Sequence, residues 1–204
     1  MVTAGILLAG GMSRRFGSAK AFAKLENKYF YQWVYSALDK VCDMVVIVTL
    51  EQLLPQFSSH LHVITDDSAY QGKGPLAGIY SGMMALPADR YVVVPCDMPY
   101  ISGEGLMALL NATATTSALV SAVSLHSKQH PLVSCWKPEM QLAIKNSLDN
   151  WQYRVTDLLT AAGAMWIEGN LLSHNAAEML QNFNCPEQVN NPRLKKSKAC
   201  KSHN

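Results

Sequence analysis

The chain has 204 residues and a formal net charge of +2 at pH 7, and 49% of its residues are hydrophobic and 16% charged. This length and composition are typical of one globular domain with a sizeable core, and they exclude a disordered chain. The small net charge argues against nucleic acid as a partner, and no apolar run approaches the length of a membrane span.

The five cysteines stand singly, at positions 42, 96, 135, 185 and 200. There is no C-x-x-C pair, which argues against both a zinc site and a disulfide framework. The N-terminal apolar run is short and has no basic segment before it, unlike a secretory signal. We therefore expect a soluble protein of the cytoplasm that binds no membrane.

The first predicted element is a buried strand from Gly5 to Leu8, which leads into the pair Gly10-Gly11. Adjacent glycines let the backbone turn so that successive N–H groups can surround an anion, and Arg15 and Lys20 add positive charge. The spacing matches neither G-x-G-x-x-G nor the P-loop motif, which disfavours a Rossmann dinucleotide site and a P-loop NTPase. The segment predicts a phosphate-binding loop; the alternative is an ordinary glycine turn with a solvated basic face.

Strand and helix patterns then alternate along the chain. Apolar runs predict strands at Met44 to Leu50, Leu61 to Ile64, Tyr91 to Pro95, Ala118 to Ser124 and Pro131 to Trp136. Helical spacing predicts helices at Tyr31 to Leu38, Leu76 to Leu86 and Gly103 to Leu110, the last with Ser102 as its N-cap. The alternation predicts a three-layer α/β fold with a mainly parallel central sheet.

The C-terminal part has a mainly helical pattern over residues 137 to 180. Trp151, Val155, Leu158 and Leu159 form its predicted inward face. From about Asn190 onward the chain is polar and basic. We expect one domain over residues 1 to 190 and a basic, disordered tail over 191 to 204.

Three aspartates stand where predicted strands end, and ligands of open parallel sheets bind beyond those ends. Asp97 follows a buried run, so its carboxylate needs a partner, which a Mg²⁺ ion shared with phosphate oxygens provides. The alternative for Asp97 is a turn or helix cap. Asp66 and Asp67 fit either a ribose or metal contact or a plain Asx-turn. A second glycine loop, Gly72 to Gly78, lets a ligand lie against backbone.

Six segments occur in the order found in the molybdenum cofactor guanylyltransferases: Leu8 to Ala21, Gly74 to Ile79, Pro95 to Pro99, His130 to Val133, Arg154-Val155 and Asn182 to Glu187. The first resembles that family's signature L-A-G-G-x-S-x-R-x-G-x-x-K, which is more specific than either glycine loop alone. The resemblance extends over residues 1 to 190. It implies a Rossmann-like nucleotidyltransferase that transfers GMP from GTP to the terminal phosphate of molybdopterin and releases pyrophosphate.

The resemblance also implies roles for individual residues. Residues that match nucleotide-binding positions are Leu8, Ala9, Gly10, Gly11, Lys20, Asp66 and Asp97. Of these, Lys20 and Asp97 are implied to be catalytic together with Arg15, and Asp97 to bind Mg²⁺. Residues that match molybdopterin-binding positions are His130, Arg154, Asn182 and Asn184. The arginine side chain can bind phosphate, and an asparagine amide can pair with the edge of a pterin ring. The alternative is that His130 is a structural histidine and that Asn182 and Asn184 are turn residues, which fits the sequence equally well.

The implied reaction needs no general base, because the second pKa of a phosphate monoester is about 6 and the attacking phosphate is already ionised at neutral pH. Catalysis then consists of positioning and charge neutralisation. Thr49 departs from the family, where asparagine often stands near the base. Two alternatives stay open: a cytidylyltransferase acting on the same pterin, and a non-catalytic subunit that binds nucleotide and delivers cofactor. We also expect transient contact with molybdoenzymes or cofactor-delivery proteins.

Overall fold

The computed structural model describes residues 1–13, 18–185 and 188–189. The strands within these ranges are β1 (Thr3–Leu8), β2 (Met12–Ser13), β3 (Ser18–Ala19), β4 (Lys24–Leu25), β5 (Lys28–Tyr29), β6 (Met44–Thr49), β7 (Val63–Thr65), β8 (Arg90–Pro95), β9 (Val120–Leu125), β10 (Lys128–Trp136) and β11 (Met165–Glu168). The α-helices are α1 (Phe30–Asp39), α2 (Pro75–Ala85), α3 (Gly103–Thr113), α4 (Met140–Asp149), α5 (Val155–Ala161) and α6 (Ala176–Met179). Arg15 and the predicted basic tail lie outside the described residues.

The central sheet has seven strands within the described part of the chain, in the order β11, β9, β10, β8, β1, β6, β7. β10 is antiparallel to both of its neighbours, β8 and β9, and the other neighbouring pairs are parallel. The prediction of a mainly parallel sheet is therefore confirmed. Because β1, β6, β7 and β8 run in the same direction, their carboxyl ends share one edge of the sheet.

Helices cover both faces of the sheet, which confirms the three-layer prediction. Side chains of consecutive strand residues point to opposite faces. Val92 and Val94 of β8 therefore belong to the core formed with α1 and α3. Val93 belongs to the core formed with α2, α4 and α5. This burial on both faces explains why the strands read as continuous apolar runs rather than alternating ones.

Two helices begin at the signals that the sequence carries. The Ser102 hydroxyl accepts a hydrogen bond from the Gly105 N–H at 3.1 Å, which confirms it as the N-cap of α3. Pro75 is the first residue of α2. Proline is tolerated there because a backbone N–H at this position would have no acceptor within the helix. Gly74, which precedes it, has φ of +80°, a backbone conformation that favours glycine.

The C-terminal part differs from the predicted pattern in two ways. It contains the strand β11, which lies within the segment whose pattern predicts helices. Trp151 was predicted to face inward, and that is wrong: its side chain is 75% exposed, because the residue follows the end of α4. Val155, Leu158 and Leu159 are buried as predicted. In the described residues, no helix combines the length and the apolar character required to cross a bilayer.

Candidate active site

A cavity of about 720 Å³ lies at the carboxyl ends of β1, β6 and β8. The residues that line it include Leu8, Gly10, Gly11, Lys20, Thr49, Asp66, Gly72, Gly74, Gly78, Asp97, Leu132 and Asn184. Six of the seven predicted nucleotide-binding residues are among them. The exception is Ala9, which is fully buried and donates its N–H to Val48 O at 2.8 Å. Because that N–H donates within the sheet and the residue is buried, Ala9 lies behind the cavity wall.

Asp97 is held from two sides. It follows β8 after one residue, and its Oδ2 accepts a hydrogen bond from Lys20 Nζ at 2.8 Å. Its Oδ1 accepts from Asn182 Nδ2 at 3.0 Å. The Lys20 and Asp97 side chains are only 17% and 16% exposed, so their ion pair is shielded more than a surface pair is. Asp97 lies in a turn, but the hydrogen bonds described for its carboxylate come from the side chains of Lys20 and Asn182.

The segment with Asn182 and Asn184 closes this cluster from the C-terminal side. Asn184 Oδ1 accepts from Lys20 Nζ at 2.9 Å, and Phe183 N–H donates to the Asp97 backbone oxygen at 2.8 Å. Gln188, which sequence reasoning missed, is buried and accepts from the Asn184 N–H at 2.6 Å. Nothing in the sequence signals this role of Gln188, because it depends on how the segment folds back on itself.

Asp66 follows β7 and lines the cavity, about as the sequence predicts. Its Oδ2 accepts from the Gly72 N–H at 3.2 Å. Burial raises the pKa of the Asp66 carboxyl, and the Gly72 hydrogen bond opposes that shift. Asp67 instead accepts from the Ala69 N–H at 2.9 Å, so the Asx-turn alternative holds for Asp67.

Helix α2 approaches β1 closely because Gly78 has no side chain. A Cβ built at Gly78 would lie 2.8 Å from Leu8 Cδ2 and 3.6 Å from Asp66 Oδ1. Both of those side chains line the cavity. Gly78 therefore sets the position of the cavity wall, a role that sequence reasoning missed although it noted the glycine loop.

Two of the predicted molybdopterin-binding residues are not in the cavity wall. His130 is buried on β10, opposite Val123 of β9. Arg154 is exposed at the start of α5. Asn184 lines the cavity itself, and Asn182 adjoins it through its hydrogen bond to Asp97. The third predicted catalytic residue, Arg15, lies outside the described residues. The structure therefore brings Lys20, Asp97 and the two asparagines into contact. His130 and Arg154 lie outside the lining of the cavity.

Comparison with known protein families agrees with this architecture. The model of the MobA-like NTP transferase domain matches residues 5–163. The chain belongs to the MobA-like NTP transferase family. It is therefore a nucleotidyltransferase by family, as the sequence motifs imply.

Relatives of this MobA-like transferase support the assignment over nearly the whole chain. A protein of Halalkalibacterium halodurans named probable molybdenum cofactor guanylyltransferase is 30% identical over 190 residues, which are 91% of this chain and 94% of that protein. A relative of the same name from a Geobacillus strain is 48% identical over 103 residues, 50% of this chain and 53% of the relative. Among solved structures, molybdopterin-guanine dinucleotide biosynthesis protein A from Archaeoglobus fulgidus superposes with a TM-score of 0.77 at 20% identity, covering 92% of this chain and 95% of that one. That superposition supports the fold.

The MobA-like site offers a divalent cation the carboxylate of Asp97, which lies at the edge of the cavity beside the amide of Asn182. Among the described residues there is no group of three or more His, Cys, Asp or Glu side chains that could hold a metal ion. Mg²⁺ is usually held by one or two carboxylates together with substrate phosphates and water. The residues therefore fit a cation that arrives with a phosphate ligand.

Proposed function

We propose that this chain transfers GMP from GTP to the terminal phosphate of molybdopterin, forming molybdopterin guanine dinucleotide and pyrophosphate. The observation that carries the proposal is the Lys20 and Asp97 pair at the edge of the cavity beyond β1 and β8. Family membership supplies the reaction class, and relatives named molybdenum cofactor guanylyltransferase match 91% of the chain.

The cavity suits a nucleoside triphosphate in size and in the residues that line it. Its volume of about 720 Å³ is within the range of roughly 300 to 1,000 Å³ that ligand pockets occupy. Leu8 and the backbone of Gly10 and Gly11 would lie against the nucleotide, and Asp66 presents a carboxylate to a ribose hydroxyl. The N-terminus of α2, at Gly74 and Pro75, would add its dipole to the binding of phosphate.

The reaction is a displacement at the α-phosphorus of GTP. An oxygen of the molybdopterin phosphate forms a bond to that phosphorus, the bond to the β-phosphate oxygen breaks, and pyrophosphate leaves with the electron pair. The attacking phosphate is ionised at neutral pH, so no side chain has to remove a proton. The protein supplies orientation and positive charge, the latter from Lys20 and, in this proposal, Arg15.

Asp97 would hold the divalent cation, which we propose to be Mg²⁺. When bound, the cation neutralises the charge of the phosphates that it contacts. Asn182 donates to Asp97 and keeps one carboxylate oxygen oriented. Lys20, which donates to the other oxygen in this structure, is placed to exchange that carboxylate for a phosphate when the nucleotide is bound.

His130, Arg154, Asn182 and Asn184 are proposed to bind molybdopterin on the strength of the resemblance. Guanine is the proposed base, although Thr49, which lines the cavity, stands where the resemblance leads us to expect asparagine. We propose the cytoplasm as the compartment, because Cys42, Cys96 and Cys135 are free thiols, which suits a reducing environment. The proposal also includes transfer of the product to molybdoenzymes or to cofactor-delivery proteins.

The test is pyrophosphate release by the purified chain with molybdopterin, a divalent cation and either GTP or CTP. We expect release that depends on molybdopterin and is faster with GTP. Faster release with CTP would replace the proposal by cytidylyl transfer. Tight binding of both nucleotides without release of pyrophosphate would leave a non-catalytic cofactor-delivery protein and overturn the enzyme assignment.

A further inference from the structure

Helix α4 ends in a motif that usually contains glycine. The Trp151 N–H donates to Leu148 O at 3.1 Å, and the Gln152 N–H donates to Ser147 O at 2.8 Å. This pair of bonds defines the Schellman motif, in which the residue just after the helix cap adopts left-handed backbone geometry and is most often glycine. Here that residue is Trp151, with φ of +61°.

Trp151 is an unfavourable residue for this position. A residue with a Cβ is disfavoured in left-handed backbone, because the Cβ approaches the following carbonyl oxygen. Burial does not compensate, since 75% of the Trp151 side chain is exposed. A strained, large and exposed aromatic residue is more consistent with a contact outside the folded core than with a structural role.

Trp151 belongs to a small cluster beside the cavity, which we call the aromatic platform and define as Trp151, Tyr153 and Lys73. Lys73 Nζ lies 4.9 Å from the centroid of the Trp151 ring and 5.3 Å from that of Tyr153. The two ring centroids are 6.5 Å apart and the ring planes are inclined by 50°. Lys73 stands between Gly72 and Gly74, which both line the cavity, so the platform adjoins its rim.

The charges around the platform favour an anionic ligand. Arg154 follows Tyr153 directly and is exposed. Among the described residues, neither Lys73 nor Arg154 forms an ion pair with a carboxylate. The acidic residue at the end of α4, Asp149, is already paired with Lys145 at 2.6 Å and accepts a hydrogen bond from Tyr70 at 2.6 Å. Two aromatic faces and two cations therefore point to a flat ligand with negative charge.

We propose that the aromatic platform stacks against the pterin ring of molybdopterin, with Arg154 facing the negative charge of the same ligand. The inference rests on the proposed function, which names molybdopterin as the acceptor. It adds Trp151, Tyr153 and Lys73 to the acceptor site, three residues that the six family-like segments do not include. Lys73 covers the platform from one side by cation–π contact, and the indole of Trp151 stays open to the ligand.

The first measurement is equilibrium binding of metal-free molybdopterin and, separately, of GTP to the full chain. The variants are Trp151→Gly and Trp151→Ala, which both remove the ring, and Trp151→Phe, which keeps an aromatic face. We expect the first two to bind molybdopterin roughly five- to hundredfold more weakly, the scale on which loss of one base–aromatic stack weakens binding. Trp151→Phe restores most of the affinity, and GTP binding is unchanged in all three.

Thermal unfolding separates this role from a structural one. Glycine tolerates left-handed backbone and alanine does not, so Trp151→Gly melts at a higher temperature than Trp151→Ala although both bind molybdopterin equally weakly. Lys73→Met also weakens molybdopterin binding. Its matched control is Lys28→Met, because Lys28 lies 4.9 Å from the Trp33 ring centroid and neither residue lines the cavity. That control binds both ligands as the unmodified chain does.

Wild-type affinity for molybdopterin in Trp151→Ala would overturn the proposed platform. The proposal would also fail if Trp151→Ala lost affinity for GTP as much as for molybdopterin, since that result would assign these residues to the nucleotide. The two proposals fail in different ways. If the unmodified chain releases pyrophosphate and Trp151→Ala behaves like it, only the platform is wrong. If the unmodified chain binds molybdopterin through Trp151 but releases no pyrophosphate, only the proposed reaction is wrong.

Discussion

Lys20 Nζ donates to Asp97 Oδ2 at 2.8 Å, across 77 residues of sequence. The same ammonium donates to Asn184 Oδ1 at 2.9 Å, and Asn182 donates to the other Asp97 oxygen. The glycine-rich N-terminal loop, the end of β8 and the segment at 182–184 therefore meet at one ion pair. If Lys20 neutralises phosphate charge as proposed, its position for that role depends on all three segments.

Asp97→Asn should lower pyrophosphate release by about 100-fold or more, the scale for removing one group that stabilises transition-state charge. The amide would also bind the divalent cation poorly and leave the Lys20 ammonium without its counter-charge. Steady-state pyrophosphate release measures the first effect, and thermal unfolding shows whether the fold persists.

Lys145→Gln is the matched control for Asp97→Asn, because it breaks the 2.6 Å pair with Asp149, whose side chains are 45% and 44% exposed. An exposed pair of this kind contributes about 0 to 1 kcal/mol, so we expect an unchanged rate. A near-normal rate for Asp97→Asn would remove Asp97 from the site.

Asn184→Ala should raise the KM for GTP by about tenfold, because a hydrogen bond to a charged group contributes about 1.5 kcal/mol and Lys20 would lose one. A residue that only contacts the pterin would instead change the KM for molybdopterin alone. Measuring both KM values for Asn184→Ala and Asn182→Ala distinguishes positioning of Lys20 and Asp97 from direct contact with the acceptor. Unchanged KM for both substrates would exclude either role.

Gly78→Ala should both destabilise the protein and distort the cavity. The added Cβ would lie 2.8 Å from Leu8 Cδ2, the end of a side chain that lines the cavity, so Leu8 has to turn away and the cost is near the low end of overpacking, about 1 kcal/mol. We expect a lower melting temperature and a higher KM for GTP. In Gly10→Ala, the new Cβ would have its nearest neighbour, on Leu50, at 3.8 Å, so stability stays unchanged and any rise in KM reports a ligand contact. Equal melting temperatures for both variants, together with an unchanged KM for GTP in Gly78→Ala, would contradict the close approach of α2 to β1.

Asp66→Asn should stabilise the protein at neutral pH. Burial raises the pKa of Asp66 above its ordinary 3.8, so the folded state favours the protonated form and the ionised carboxylate lowers stability above that pH. Asparagine carries no charge and still offers an oxygen to the Gly72 N–H. The variant should melt above the unmodified chain at pH 7, and the difference should narrow as the pH falls through the raised pKa towards 3.8.

The same Asp66→Asn variant should bind GTP more weakly, because it loses the carboxylate proposed for the ribose. Asp67→Asn is the control, since Asp67 is exposed and its turn acceptor is preserved in the amide. It should show no comparable pH-dependent gain. A gain in melting temperature that persists undiminished at low pH would show that burial of the Asp66 charge is not the cause.

Most of the fold could be predicted because its elements carry strong local signals. Buried parallel strands such as β8 read as continuous apolar runs, and the Ser102 cap and Pro75 mark where α3 and α2 begin. The predictions were weaker where local pattern and tertiary packing diverge. By its spacing from Val155, Leu158 and Leu159, Trp151 was predicted to face inward. However, α4 ends before Trp151, whose backbone is left-handed. β11 is recognisable only by its pairing with β9.

By itself, the sequence determined the class of protein through its resemblance to a known family, because the six segments that carry the resemblance and their order are local features of the chain. Lys20, Asp97, Asn182 and Asn184 could each be named from motifs, as could Arg15, His130 and Arg154, and the roles of all seven residues stay predictions. Only the tertiary structure decided which of these residues meet, because an ion pair across 77 residues and a hydrogen bond across 164 depend on how the segments pack. The tertiary structure also decided that the Ala9 N–H donates its hydrogen bond within the sheet and that Gly78 sets the position of the cavity wall. It placed the exposed Trp151 side chain beside Lys73.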